Sequence, residues 1–254
     1  MNTEVEHLKR EVIPKLFQDS SLIGTYGRDE QSTLVINGHS DLLEHSPVAQ
    51  LTEKLSQIMA KLSDADPKAV NDKPNWVQRF TGKAVEAKAR YQHARKTLEN
   101  LLADAQEISK NVGRMVSKID EMLVSSSAEE ARLRNLLQAG REYLEENPRA
   151  GIPAEQEISF DKPRERFARK LTNLATLQAS NELSNNQLRL ARAVAIDMLD
   201  RHGETVGTLF PVWRQHTLAL ITSKNLQPET MAAATKAHDA LKQSLAVSLM
   251  NQNG

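Results

Sequence analysis

The amino-acid sequence predicts an all-α fold: an elongated antiparallel helical bundle or coiled coil built on one very long helix. Two observations carry that expectation. The first is a seam of fourteen positions, Val77, Phe80, Ala84, Ala87, Tyr91, Ala94, Leu98, Leu101, Ala105, Ile108, Val112, Met115, Ile119 and Met122, all apolar or small. Their spacing alternates three and four without a slip, as one seam of a left-handed coiled coil requires. At 1.5 Å per residue such a helix is about 70 Å long, which no compact globular core needs, so it has to lie against partner helices. The second is composition. Only 4% of the 254 residues are aromatic and ten are glycine, while Ala, Leu, Glu, Lys, Gln and Arg abound, a balance that favours helix over strand.

Residues 1 to about 39 are interrupted by Ser20, Ser21, Gly24, Gly27 and Gly38, which points to short helices with a flexible joint. Thr33 to Ile36 fits a short β run or a buried helical turn equally well. Leu42, Val48, Leu51, Leu55, Ile58, Met59 and Leu62 then fall at helical spacing, and Pro47 is tolerated in a first turn, so a helix is expected from about 47 to 63. Asp64 to Asn75 carries two prolines and many turn-forming residues and reads as a linker. The expected division is an N-terminal short-helix segment at 1–66, a linker at 67–75 and an elongated helical bundle domain at 76–254.

The long helix is expected from Trp76 to about Val124, with Gly82 and Gly113 each costing about 1 kcal/mol but leaving the register intact. Ser125, Ser126 and Ser127 are read as its end, and Ser127 with Glu130 as a capping box opening a second helix. That helix carries Leu133, Leu136, Leu137, Gly140, Tyr143 and Leu144 and stops before Pro148. Across so short a turn the two would be antiparallel neighbours. After a loop at 148–161, apolar spacing from Phe167 to Val206 makes one helix from about 163 to 222 the economical reading, with a break at 181–185 as the alternative. Pro211 is expected to bend it. Pro228 opens a last helix with Met231, Ala234, His238, Leu241, Leu245 and Leu249 on one stripe.

Thirty-three basic residues balance thirty-three acidic ones, so no global field draws the chain to nucleic acid or an anionic membrane. Cysteine is absent, which removes disulfides, thiolate metal sites and thiol redox chemistry. None of the seven histidines pairs at H-x-x-x-H or H-E-x-x-H spacing. No phosphate-binding glycine loop or G-x-S-x-G elbow occurs. No enzyme activity, metal or cofactor is therefore expected. The N-terminus carries charges throughout and no apolar run approaches a membrane span, which points to a cytoplasmic protein.

Local charge is more telling. Arg79, Lys83, Lys88, Arg90, Arg95 and Lys96 face only Glu86 at the start of the long helix, and Lys162, Arg164, Arg166, Arg169 and Lys170 form a second cluster. Solvated faces and internal charge matching explain both; docking to an acidic partner or anionic headgroups is the sharper alternative. Thr208 to Gln215, TLFPVWRQ, concentrates a phenylalanine, a proline and a tryptophan. It reads either as a proline-bent helix with Trp213 packed inside or as a surface on which Trp213, Arg214 and His216 meet a partner.

Three stretches resemble the TelA family of toxic anion resistance, KlaA-like proteins. Trp76 to Lys83, WVQRFTGK, resembles the family's aromatic, Phe-Gly-Lys entry into its long helix, and Tyr91 to Leu123 the coil that follows. Leu174 to Ile221 is similar to a long family segment with a Thr-x-x-Pro-x-Trp-Lys-Gln ending, here Thr208, Pro211, Trp213, Arg214 and Gln215, with arginine in place of lysine. The resemblance implies a non-enzymatic helical scaffold or interaction protein in resistance to tellurite, other toxic anions or cell-envelope stress. Its implied partners are other proteins of a stress-resistance system, with peripheral attachment to the inner membrane and homo-oligomerisation as further contacts; nucleic acid is not among them. Arg79, Lys83, Arg90, Pro211, Trp213, Arg214 and Gln215 are the expected partner-binding residues. The alternative is direct oxyanion or small-ligand binding by basic residues of the bundle, with Arg79, Lys83 and Arg90 at its centre.

Overall fold

The computed structural model describes residues 2–28, 46–70, 83–152, 161–222 and 227–250, the side chains at 69, 70, 83–88 and 90 excepted. The described residues are all-α and contain no strand. In order they form α1 (Thr3–His7), a π turn (Leu8–Val12), α2 (Ile13–Gln18), a 3-10 turn (Ser20–Thr25), α3 (Pro47–Asp64) and a second 3-10 turn (Pro67–Val70). Then come α4 (Lys83–Glu146), α5 (Pro163–Glu204), a second π turn (Thr205–Leu209), α6 (Phe210–Thr222) and α7 (Pro228–Met250). The chain divides into two compact units, each discontinuous in sequence: Met1–Glu44 with Lys118–Ala191, and His45–Ser117 with Arg192–Gly254. The greater part of the linker expected at 67–75 lies outside the described residues; α4 and α5 each contribute residues to both units.

The expected turn at Ser125–Ser127 does not exist. Lys83–Glu146 is one helix of 64 residues, and the three-four seam runs on through Ser126, Leu133, Leu136, Gly140 and Tyr143, all buried. Serine is tolerated there because its hydroxyl finds a partner without leaving the helix. Ser125 Oγ donates to the Glu121 carbonyl at 3.2 Å, and Ser126 Oγ donates to Asn181 Oδ1 at 2.9 Å inside the first unit. The partner of this stretch is therefore α5, which runs antiparallel to it. Arg164 at the start of α5 caps the far end of α4, donating to the carbonyls of Leu144 at 2.8 Å and Asn147 at 2.9 Å. Gly140 lets α5 approach closely, since a Cβ there would lie 2.4 Å from Leu171 Cδ2.

The first unit is completed by the N-terminal residues. Asn2 caps α1 by accepting from Glu4 N at 3.1 Å. Ile13, Leu16, Ile23 and Tyr26 then pack on Leu133, Leu136, Leu137 and Tyr143 of α4 and on Phe167, Leu171 and Leu174 of α5. Phe167, fully buried, meets Phe17 edge-on at 5.5 Å and Tyr26 at 5.1 Å, geometries in which ring edges face ring faces favourably. Lys9 is a buried cation of this unit: it bonds Glu146, Glu142 at 2.9 Å and Glu6 at 3.5 Å. Hydrogen bonds to Glu146 and then Glu142 hold its ammonium protonated well above the ordinary lysine range.

In the second unit α3 begins as expected, with Pro47 in its first turn and the Ser46 hydroxyl accepting from Val48 N at 3.3 Å. It runs antiparallel to α4, with Ser46 beside Met115 at one end and Lys54 paired to Asp104 at the other, 3.3 Å away. Leu51, Leu55, Ile58 and Leu62 are buried along its inner face. The seam residues Tyr91, Ala94, Leu98, Ala105, Val112 and Met115 are buried too, but Leu102 and Ser109 replace Leu101 and Ile108 at the centre. A 3.6-residue helix drifts against a strict heptad, so the buried stripe broadens to adjacent positions. The first seam positions, Val77 and Phe80, and the expected β run at 33–36 lie outside the described residues.

Continuity of α4 is open to a direct test with Ala128→Pro. In a capping-box helix residue 128 is the first helical position, where proline is welcome; inside one helix it removes a backbone bond and collides with residue 124. The substitution should cost about 3 kcal/mol or more in urea unfolding.

Candidate functional site

The residues singled out by the sequence at 208–215 belong to the second unit, where a π turn decides which of them point inward. Both π turns among the described residues end two residues before a proline, Pro14 and Pro211. Proline lacks an N–H and its ring crowds the carbonyl four residues back. The helix widens there instead: the residue before each proline donates to the carbonyl five back, Ile13 to Leu8 and Phe210 to Thr205. One residue is thereby added within the helix. Buried positions from α5 into the π turn run Ala195, Met198, His202 and Thr205, which in heptad phase would continue at 209, 212 and 216. They continue at Trp213, Thr217 and Leu220, one residue later. The inserted residue thus turns Trp213 into the core and leaves Val212 44% exposed.

Four of the expected partner-binding residues, Pro211, Trp213, Arg214 and Gln215, lie on α6. Trp213 is fully buried and stacked on Phe210 at 5.4 Å, so the proline-containing helix carries it inside and it presents no surface. Pro211, Arg214 and Gln215 are exposed on α6. Arg79 lies outside the described residues. Lys83 and Arg90 are on α4, with their side chains outside the description.

Three further residues of α4, Glu99, Arg95 and Tyr91, lie where that helix meets α6. Arg214 Nε lies 3.2 Å from Glu99 Oε1, and the same carboxylate accepts from Arg95 Nη1 at 2.8 Å. Glu99 thus ties α6 to α4. The pair is partly solvated, so its contribution to stability is about 1 kcal/mol or less. Arg95 itself turns inward, its side chain 19% exposed and its Nε buried without a partner. One turn before it, Tyr91 is buried with its hydroxyl beside Thr217. Burial pushes that phenol well above the ordinary tyrosine range, opposed in part by Thr217 and Arg95 beside it. A seam reading assigns Tyr91 to packing and Arg95 to a solvated basic face, and nothing in their spacing marks either as an inward polar group.

α7 closes this unit against α3 and α6. His238 is buried in it with Nδ1 unpartnered, and His202, near the end of α5, is buried with Nε2 unpartnered. Burial lowers the affinity of both rings for a proton; for His238 the Asp66 and Asp239 carboxylates oppose this in part, and Lys242 and Lys68 add to it. Among the described residues no group of three or more His, Asp or Glu side chains is placed to hold a metal, and no helix is long and apolar enough to cross a membrane.

Comparison with known proteins gives two matches. The family model described as "Toxic anion resistance protein (TelA)" matches residues 10–245. The chain is 51% identical over 252 residues to a protein of Escherichia coli named "Protein KlaA", an alignment spanning 99% of this chain and 98% of that protein. No solved structure matches it.

Unfolding returns the two buried histidines to the ordinary value of 6.5, so the unfolded chain binds more protons and stability falls as pH drops below that value. Urea unfolding at pH 7.5 and 5.5 should show that loss, and a His202→Leu, His238→Leu variant should flatten it. Trp213→Ala should cost about 3–5 kcal/mol, the usual penalty for emptying a buried aromatic site.

Proposed function

The chain belongs to the TelA family of toxic anion resistance proteins, and from that premise we propose that it serves tellurite or toxic-anion resistance as a non-enzymatic helical scaffold that works through contacts with other proteins. The observation that carries this reading is how the family-like ending is divided by the π turn. Trp213 is spent on the core, whereas Pro211, Arg214 and Gln215 face outward on one short helix beside exposed Val212 and Leu218. An arginine flanked by apolar side chains is a frequent anchor at protein interfaces. The partners this surface suits are proteins of the same resistance system; attachment to the inner face of a membrane and self-association are secondary contacts of the same kind.

A second reading, binding of an oxyanion inside the helical body, has one observation in its favour. A ligand site needs inward-facing charge, and Arg95 supplies it.

The scaffold reading is tested by an Arg214→Ala, Gln215→Ala variant measured for tellurite resistance in cells and for thermal unfolding in solution. The expected result is at least a severalfold drop in the tolerated tellurite concentration with a melting temperature within a few degrees of the parent, since both residues are exposed. Unchanged resistance would count against this surface.

A further inference from the structure

A cavity of about 550 Å³ lies in the second unit, where the end of α5 and the π turn at Thr205–Leu209 meet α7. Small-molecule sites fall in that size range. π turns recur at functional sites, and Leu209, the last residue of this one, is part of the cavity wall.

Bonds between the two walls hold the cavity in shape. Arg201 of α5 donates from Nε to Asp197 Oδ2 at 2.8 Å and from Nη1 across to the Val247 carbonyl of α7 at 3.2 Å. One turn on, Thr205 Oγ1 and Ser244 Oγ lie 3.1 Å apart. Ser248, which lines the cavity yet is only 3% exposed, donates to the Ser244 carbonyl at 2.9 Å.

Charge decides what fits. The Arg201 guanidinium is answered by a carboxylate and a carbonyl, whereas the Glu204 carboxylate in the same lining has no ion-pair partner among the described residues. Asp197 and Glu204 against Arg201 leave the lining one negative charge in excess, and among the described residues α7 adds no charged side chain to it. Asp200, exposed on the same stretch of α5, deepens the negative field. An anion drawn to Arg201 would meet these carboxylates and be repelled. A cation is favoured. Leu209, Ala240 and Val247 make part of the wall apolar, which rewards an alkyl chain, and no group of three or more His, Asp or Glu side chains among the described residues is placed to hold a metal ion. An organic cation suits both features.

We propose that this cavity binds a small aliphatic amine in its ammonium form. The ammonium, with three N–H donors, gives one to Glu204 and the others to side-chain oxygens of the α7 wall, where Gln243 and Ser248 offer acceptors, and the alkyl chain lies on Leu209, Ala240 and Val247. This site is independent of the scaffold reading, and it would repel the oxyanion of the second one.

The test is calorimetry and thermal unfolding of the full chain with the chlorides of n-butylammonium and putrescine at millimolar concentration, against tetramethylammonium and sodium chlorides at matched ionic strength. The expected result is saturable binding of at least one amine with a raised melting temperature, and binding at least severalfold weaker for tetramethylammonium, which keeps the charge but has no N–H. Glu204→Gln should weaken amine binding about tenfold or more. Ala240→Leu fills the cavity from an exposed position and should abolish binding while leaving the melting temperature of the free chain within a few degrees of the parent. Flat traces with both amines would overturn the site. So would equal affinity in the parent and Glu204→Gln, or tetramethylammonium binding as tightly as n-butylammonium, which would reduce the effect to charge screening.

Discussion

The structure depends on the register of α4. A single face of this helix supplies the core of the second unit at Tyr91, Leu98, Ala105, Val112 and Met115, and of the first at Ile119, Ser126, Leu133, Leu136 and Tyr143. Those positions keep one phase across more than seven heptads, so a local slip would rotate every later side chain away from its partner. Ser126 is where the phase is most exposed to failure, because an apolar seam meets a hydroxyl there. The hydrogen bond to Asn181 makes that layer tolerable and specific, since a shifted register would bury both polar groups unpaired.

The same logic of phase governs α5 and α6. A strict continuation from His202 and Thr205 would bury residue 212 and turn the tryptophan aside. The π turn inserts one residue ahead of Pro211, so the large indole fills the core and a valine, an arginine and a glutamine are left outside. Proline here re-phases a helix and does not end it. The second unit thereby acquires an exposed face carrying Arg214 and Gln215 beside a buried Trp213.

All-α architecture and most of the buried face were legible in the sequence, because heptad spacing and the absence of strand-forming composition report directly on side-chain burial. α3 and α7 announce themselves through Pro47, Pro228 and their apolar stripes. The three serines at 125–127 misled, since Ser-x-x-Glu is the signature of a helix start and only a facing asparagine, 55 positions away in sequence, reveals that the helix continues. The fate of Trp213 depended on a π insertion that no hydrophobic period announces. The inward turn of Arg95 was equally hidden, because a cation one position past Ala94 reads as solvated until α6 is seen to lie against it. The resemblance to the TelA family rested on Trp76–Lys83, Tyr91–Leu123 and Leu174–Ile221, and the family was right although, in the ending Thr208–Gln215, only Trp213 is buried.

Amide hydrogen exchange through the middle of α4 tests the central claim most directly. If one helix carries one seam through both units, the backbone amides from Met122 to Glu130 should exchange about as slowly as those of 115–121 and 133–140, because each donates to a carbonyl four residues back. Exchange of the amides of Ser125, Ser126 and Ser127 at the rate of an open turn, between two protected flanks, would contradict it.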